Sequence, residues 1–547
     1  MSANVYHDYL VIGAGPAGIQ LGYFLEQNHH DYLILEAQDS AGSFFEKFPR
    51  TGTLISFNKV HNIYDDPEIL LRWDWNSLLT DDYSFQFKEY SKKFYPESKE
   101  LVQYLGDFAE NYRLKIQYNT KISQIRKEVD GTFVLRDMAG NTYGCQSLII
   151  ATGFGKEYIP AIPGIELVTE SYGTVSMDPN DFAGQRVLIV GKGNSAYEIA
   201  DNILDTAALI HLASPQTTRF AWNTRHPGHL RANYTRILDS YQLKLLHGAL
   251  DCTINEISME DGKYVAQVAY VHADGEVEEI IYDRVIRCTG FSFNRAIFDS
   301  TCMPDLVIDD RFPALTGSWE SVNVPGMFFA GTLMQPRDFQ RAGSAFIDGF
   351  RYNIRTLYHL LNKRYQGEPL PSQGLPLNVE TISQAIQHRA CRTSALWTQF
   401  GYLCDVMTVD EESQKAQYYE ELPVDYVLTE SEFRDHPHYY TITFEWGPWD
   451  GDVFAIQRHP NHETAYTNAF LHPIIRRYSG TTLMAEHHIL EDLFGMYSFE
   501  GTANVYRTRS GRSMAQYHAE EHDQPLRDFL VAQLLPENQM DLERVMA

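Results

Sequence analysis

Two glycine clusters in this chain have the spacing of a phosphate cradle. Gly13, Gly15 and Gly18 stand in "GAGPAG", between the apolar run "DYLVI" and a periodic apolar stretch that begins at Ile19. Gly191, Gly193 and Ala196 stand in "GKGNSA", directly after "RVLIV". A strand that ends in such a turn and feeds a helix offers free backbone N–H groups, and the positive end of the helix dipole, to a pyrophosphate. The first glycine permits the tight turn, the second lets phosphate approach the backbone, and the third position lets helix and strand pack closely. Pro16 and Ala17 complete the first turn; Lys192, Asn194 and Ser195 belong to the second. Lys192 can meet a phosphate electrostatically. Ser195 and Glu198 read equally well as a first-turn hydroxyl and an acid complementing the helix dipole.

The ends of the following strands differ. "DYLILE" ends in Glu36, about 20 residues past the glycines, where an acid binds both ribose hydroxyls. "ALIHLAS" ends in Ser214 with no acid, and Arg219 follows. A carboxylate there would repel a 2′-phosphate, whereas a hydroxyl with a nearby guanidinium suits one, so the second cradle favours NADPH over NADH. Two dinucleotides in one chain imply a hydride passed from a visiting nicotinamide to a resident carrier. Each cradle must be held by a βαβ unit. "LIIATGF" (Leu148 to Phe154), "VIRCTGF" (Val285 to Phe291) and "GMFFAGT" (Gly326 to Thr332) read as the strands that leave and re-enter these units. The expected fold is therefore α/β, with two nested Rossmann-like domains and a C-terminal α+β extension. The first domain would be discontinuous, over 1–155 and 295–361, with the second over 156–294. The Gly/Pro-rich stretch 362–378 reads as a linker and 379–547 as the extension. In that extension "PHYYTITFEWG" and "DVFAIQRH" alternate like paired strands, while "HHILEDLFGMY" and "PLRDFLVAQLL" read as helices.

Composition narrows the partners. The 547 residues carry a formal charge of −27, a surface that repels nucleic acid and anionic lipid. No apolar run is long enough for a membrane span, and the N-terminus "MSANVYHDYLVIGAG" lacks the pattern of a signal peptide. The 6 cysteines include no C-x-x-C pair, which argues against a zinc site or a dithiol centre and for a reduced, cytoplasmic setting. No metal constellation is expected. His487 and His488 are adjacent, cannot share a helix face, and read as structural. A small-molecule substrate is the expected partner, with a homodimer possible.

The motifs "GAGPAG", "TGTLISFNK", "YLGDFAENYRLKIQYNTKI", "ATGF", "GKGNSAYE" and "CTGF" resemble the flavin-containing and N-hydroxylating monooxygenase superfamily. "SFFEKFPR", "DWNSLL", "YDRVIRCTGF" and "IDGFRYNIR" further resemble its branch of endoplasmic-reticulum FAD-dependent flavoproteins associated with degradation, here without secretory signals. The resemblance implies FAD in the first cradle, with Ser43 and Phe44 beside the flavin, Ile122, Thr152 and Gly153 around it, and Gly331 near its ribityl-phosphate. It implies a monooxygenase reaction in which NADPH reduces FAD and O2 adds to give a C4a-hydroperoxide. One oxygen atom then passes to a soft nucleophile, first an amine or amino-acid nitrogen. Met177 falls near the place of that superfamily's fingerprint histidine. This departure keeps open a flavin oxidoreductase or oxidase acting with a protein partner, and a non-catalytic flavin-bearing interaction module.

Four further residues are candidates for the chemistry. Asn58 in "LISFNK" matches an asparagine that the monooxygenases place near the reacting flavin, or it is a turn former. Lys59 would orient flavin or substrate, or be a surface charge. Asn76 in "RWDWNSLL" is either a direct participant or part of a tryptophan-lined wall. Arg337, with Asp338 and Arg341 in "MQPRDFQR", would grip an anionic or zwitterionic substrate, or make a structural ion pair.

Overall fold

The structure is a computed structural model of the chain and describes residues 5–429, 431–456, 462–492, 495, 497 and 514–534. It divides into two compact units: Met1–Gly22, His30–Asn58 and Glu89–Ala314 form one, and Tyr23–His29, Lys59–Lys88 and Leu315–Ala547 the other.

The first unit contains two sheets built on one plan. In the first sheet Val5–Ile12 lies between Tyr32–Leu35 and Thr142–Ile150, parallel to both, and Phe133–Asp137 and Ile122–Lys127 extend it antiparallel. In the second, Arg186–Val190 lies between Leu209–Ser214 and Arg284–Arg287, again parallel to both. Gly248–Glu260, Lys263–Tyr270 and Val277–Tyr282 carry it outward. The central strands are continuous apolar runs because both faces are covered. Val187 and Ile189 pack with Tyr197 and Ile199 of the helix Asn194–Asn202, while Leu188 and Val190 pack with Ile254 and Val268 on the other side. Each such side chain contributes about 1.5–3 kcal/mol by burial. The fold is α/β with two Rossmann-like sheets, as the alternation of apolar runs and glycine turns requires.

The second unit carries a six-stranded antiparallel sheet in the order Gln373–Pro376, Lys415–Pro423, Leu403–Asp410, Tyr439–Trp446, Leu471–Ser479, Thr482–His488. The helix Ile347–Gln366 ends at Gly367, whose φ of 71° closes it, and Asn378 caps the helix Val379–Arg392 through Thr381 N at 2.8 Å. Buried Arg72 answers that second helix at its other end. Its guanidinium donates to the carbonyls of Ala390, Cys391 and Thr393 at 2.7–3.2 Å, the charge a helix C-terminus favours.

Several expectations for the tail change. The stretch 362–378 holds the end of one helix and the edge strand Gln373–Pro376, so it is built into the sheet. The strand Tyr439–Trp446 pairs with Leu471–Ser479 and not with "DVFAIQRH", part of which lies outside the described residues. His487 and His488 end a strand, where neighbours face opposite sides. His487 stacks between His462 and Phe529, and His488 Nδ1 meets His472 Nε2 at 2.8 Å. Helical periodicity in a short apolar run is overridden there by cross-strand pairing with Ile474 and Ile475. The helix read at "PLRDFLVAQLL" is present over 525–534 as part of Met514–Leu534, and Leu535 lies outside the described residues. The C-terminal "LERVMA" lies outside the described residues.

Candidate functional site: two dinucleotide cradles

Hydrogen bonds from four segments assemble the first cradle. Gly13 N donates to Leu35 O at 2.9 Å, Ala151 N to Ile12 O at 2.9 Å, and Gly42 N to Ala14 O at 2.9 Å. The buried Glu36 carboxylate accepts from Ala14 N at 2.7 Å and from Gln38 N at 2.9 Å, and Ser43 Oγ stands 3.5 Å away. Thus Gly13, Glu36, Ser43 and Thr152 come together. Phe44 is exposed and touches Phe45 and Phe48; Ile122 is buried at the start of its strand.

The glycines show what the cradle is shaped for. At Gly13, φ is +106° and an added Cβ would lie 2.7 Å from Ala151 O. At Gly18 it would lie 1.9 Å from Gly13 O. At Gly15 it would meet no protein atom within 4 Å. The protein itself therefore dictates the first and third glycines. The open space over the second fits the pyrophosphate of a dinucleotide.

The second cradle repeats two of these bonds. Gly191 N donates to Ala213 O at 2.8 Å and Cys288 N to Val190 O at 2.9 Å. At Gly191, φ is +126° and a Cβ would sit 2.2 Å from Cys288 O, whereas at Gly193 it would meet nothing within 4 Å. Because Leu35 and Ala213 accept equivalent bonds, Glu36 and Ser214 occupy equivalent places. The sequence did not reveal that Asp251, on the next parallel strand, stands in register with Ser214. Asp251 binds the Lys192 ammonium and accepts from Thr217 Oγ1 at 2.8 Å. Burial alone would raise its pKa, but these bonds outweigh it and hold the carboxyl below its ordinary value. Lys192, with its side chain 3% exposed, is thereby committed to Asp251. The Asn194 carboxamide is also spent, donating to Gly228 O and His229 O and accepting from Arg231 N. Ser195 is half-buried, Ser214 Oγ donates to Gln216 O at 3.3 Å, and Arg219 is exposed.

Glu198 does more than complement a helix dipole. It is buried on the helix behind the second cradle and accepts from Thr51 N at 2.7 Å, Thr51 Oγ1 at 2.8 Å and Tyr172 OH at 2.6 Å. It ties "TGTLISFN" to the cradle's helix, a link invisible to local sequence because Thr51 is remote along the chain. Glu198→Gln is expected to keep FAD bound but lower stability by about 1.5–3 kcal/mol, the worth of a charge-assisted hydrogen bond, read as a lower urea midpoint.

The candidate chemical residues divide between the units. Asn58, 2% exposed, donates from Nδ2 to Ser91 O at 2.7 Å in the first unit. In the second, Lys59 is exposed, with its backbone N bonded to Trp73 O at 3.0 Å. Asn76 is fully buried and donates its backbone N to Asp74 Oδ1 at 3.0 Å, in a loop that Arg351 clamps through the carbonyls of Leu71, Asp74 and Ser77. Arg337 forms an ion pair with Asp425 and donates to Leu315 O at 2.9 Å. Burial pushes Asp338 up to about 7, and Arg341 is exposed, with its backbone N bonded to Asp338 O at 2.8 Å. Gly331 is buried with φ +76° at the head of a short 3-10 segment. Met177 packs on the core of the second sheet.

Residues 10–331 match the pyridine nucleotide-disulphide oxidoreductase family. The chain belongs to that family. It is similar to FAD-dependent oxidoreductase domain-containing protein 2 of Mus musculus, 36% identical over 510 residues, which cover 86% of this chain and 76% of the relative. The protein of the same description from Danio rerio is 33% identical over 525 residues, with the same coverage. Among solved structures, the bacillithiol disulfide reductase Bdr (YpdA) from Bacillus cereus shares the fold, with a TM-score of 0.50 and 15% identity over 66% of this chain and 99% of that one. The protein is an FAD-type oxidoreductase that uses a nicotinamide cofactor, and the two cradles are where its residues fit these groups.

Proposed function

We propose that this chain is an NADPH-dependent FAD monooxygenase that places one oxygen atom of O2 on a soft nucleophile, first the nitrogen of an amine or amino acid and second a sulfur. The contrast between equivalent strand ends carries the reading. The Glu36 carboxylate suits the two ribose hydroxyls of FAD. Ser214, with Arg219 following and Asp251 neutralised by Lys192, suits the 2′-phosphate of NADPH. Bound FAD would supply the two-electron relay between nicotinamide and oxygen. The chain's own residues hold the two dinucleotides: the open glycines admit the phosphates, Glu36 fixes a ribose, and Glu198 secures the segment that carries Asn58.

The cysteines support oxygen as the electron acceptor. All six are free and buried, and burial raises the thiols of Cys252 and Cys302 to about 11, far from the thiolate form that disulfide exchange needs. They support a reducing, cytoplasmic setting for the same reason. The electrons balance with an external acceptor. NADPH gives two and the nucleophile's lone pair two; with one proton from solvent, O2 ends as water and the inserted oxygen. A second reading, a flavin oxidoreductase or oxidase working with a protein partner, is favoured by the commitment of Asn58 Nδ2 to Ser91 O. Candidate amines, NADPH and the flavin-loaded protein decide between them. A product one oxygen heavier, formed one for one with NADPH consumed, supports the first. Hydrogen peroxide as the sole product favours the second, and flavin left oxidised by NADPH under argon overturns both.

A further inference from the structure

The second unit encloses a cavity of about 510 Å³, all of whose lining residues belong to that unit. One wall is a charge network. Glu421 receives Arg355 Nε at 2.9 Å and Arg389 Nη2 at 2.9 Å. Arg389 also reaches Asp405 at 2.9 Å, Glu68 at 2.7 Å and Glu420 at 3.3 Å. Two guanidiniums thus face four carboxyl groups, of which burial pushes Glu420 up to about 7 and raises Asp405, and every nitrogen of Arg389 is already engaged. Consecutive residues of a regular strand point to opposite faces. Here a bulge opposite Cys404 and Val406, with Glu421 at φ +64°, lets both Glu420 and Glu421 reach Arg389.

An independent observation points to a ligand. Gln86 lines the cavity, is only 3% exposed, and its carboxamide has no hydrogen-bond partner among the described residues. Buried amides are ordinarily satisfied, so an unmet one at a cavity wall is a contact waiting for an occupant. His359, also on the wall, adds no positive charge at neutral pH, because burial and then the neighbouring Arg355 push its imidazole down to about 4. The remaining wall includes Tyr23, Phe24 and Tyr83.

We propose that this cavity binds a small organic cation, a protonated amine whose ammonium donates to Glu420 and Gln86 while its carbon skeleton lies against the aromatic wall. The surplus of acidic groups favours a cation and the aromatic faces attract one, while an anion would find every nitrogen of Arg389 engaged and, of Arg355, only Nη1 open. Volume sets the ligand to the size of an ordinary metabolite. The assignment does not depend on oxygen transfer, since it concerns binding to the oxidised protein.

Calorimetric titration of the flavin-loaded protein, without NADPH, tests it with three five-carbon probes: pentylamine, pentanol and pentanoate. Pentylamine is expected to bind saturably and the other two not. Glu420→Gln should weaken pentylamine about two- to fivefold, as loss of a half-exposed charge partner does, and Gln86→Leu should weaken it as well. The Glu420 side chain is 53% exposed, so its substitution spares the fold; should Gln86→Leu misfold, Glu420→Gln alone decides. Preference for pentanoate, unchanged affinity in Glu420→Gln, or no saturable heat with pentylamine up to about 10 mM, a range beyond a weak millimolar site, would overturn the assignment. Because no turnover is involved, such a failure leaves the oxygen-transfer reading standing.

Discussion

Gly15→Val protein is expected to fold with an unchanged circular-dichroism spectrum and to purify colourless. The two halves of this result have separate causes. A Cβ at Gly15 meets no protein atom within 4 Å, so the folded chain has no reason to reject the side chain. The same space is where the pyrophosphate has to approach the backbone, and a branched side chain fills it. Losing about two charge-assisted hydrogen bonds, each worth about 1.5–3 kcal/mol, weakens FAD by about two to four orders of magnitude. Flavin absorbance after gel filtration and fluorescence titration with added FAD measure it. Gly18→Val is the contrasting control: its Cβ would sit 1.9 Å from Gly13 O, so this variant is expected to lose the fold itself. Full retention of FAD by Gly15→Val would remove the flavin from this cradle.

Ser214→Glu is expected to turn the coenzyme preference from NADPH toward NADH. Glu36 shows what a carboxylate does at the equivalent strand end of the first cradle, where it is anchored by Ala14 N at 2.7 Å. At Ser214 a carboxylate would stand beside Asp251, whose charge is already answered by Lys192, and would face a 2′-phosphate without compensation. Two unit charges about 4 Å apart repel by about 4 kcal/mol near a protein surface, so kcat/KM for NADPH should fall about 100- to 1000-fold. The value for NADH should hold or rise, since a ribose hydroxyl gains an acceptor. Stopped-flow flavin reduction under argon with each coenzyme reads both. An unchanged NADPH to NADH ratio would place the adenosine ribose away from Ser214.

The cradles were legible because their determinants are local. A tight turn with positive φ at Gly13 and Gly191, flanked by apolar strands, is written within a dozen neighbouring residues, and backbone sterics read that pattern in one way. The ribose position of Glu36 follows from the same short unit. In the tail the periodicities are shorter and do not name the strand partner. "HHILEDLFGMY" carries helix-like spacing, yet His487 and His488 belong to a strand because Ile474 and Ile475 lie alongside to pair with them. Strand partners in an antiparallel sheet depend on which segments meet, and alternation alone does not name them.

By itself the sequence determined that there are two phosphate cradles on parallel strands, that one strand ends in an acid and the other in a hydroxyl, and that the cysteines form no C-x-x-C pair. Only the tertiary structure decided that Asp251 takes the charge of Lys192, that Glu198 grips Thr51, that Arg72 and Arg351 close buried carbonyls, and that Gln86 looks into a carboxylate-rich cavity. The division has one physical reason. Turn geometry and strand formation are set by neighbours along the chain, whereas buried polar groups take their partners from whatever the fold brings within hydrogen-bond distance.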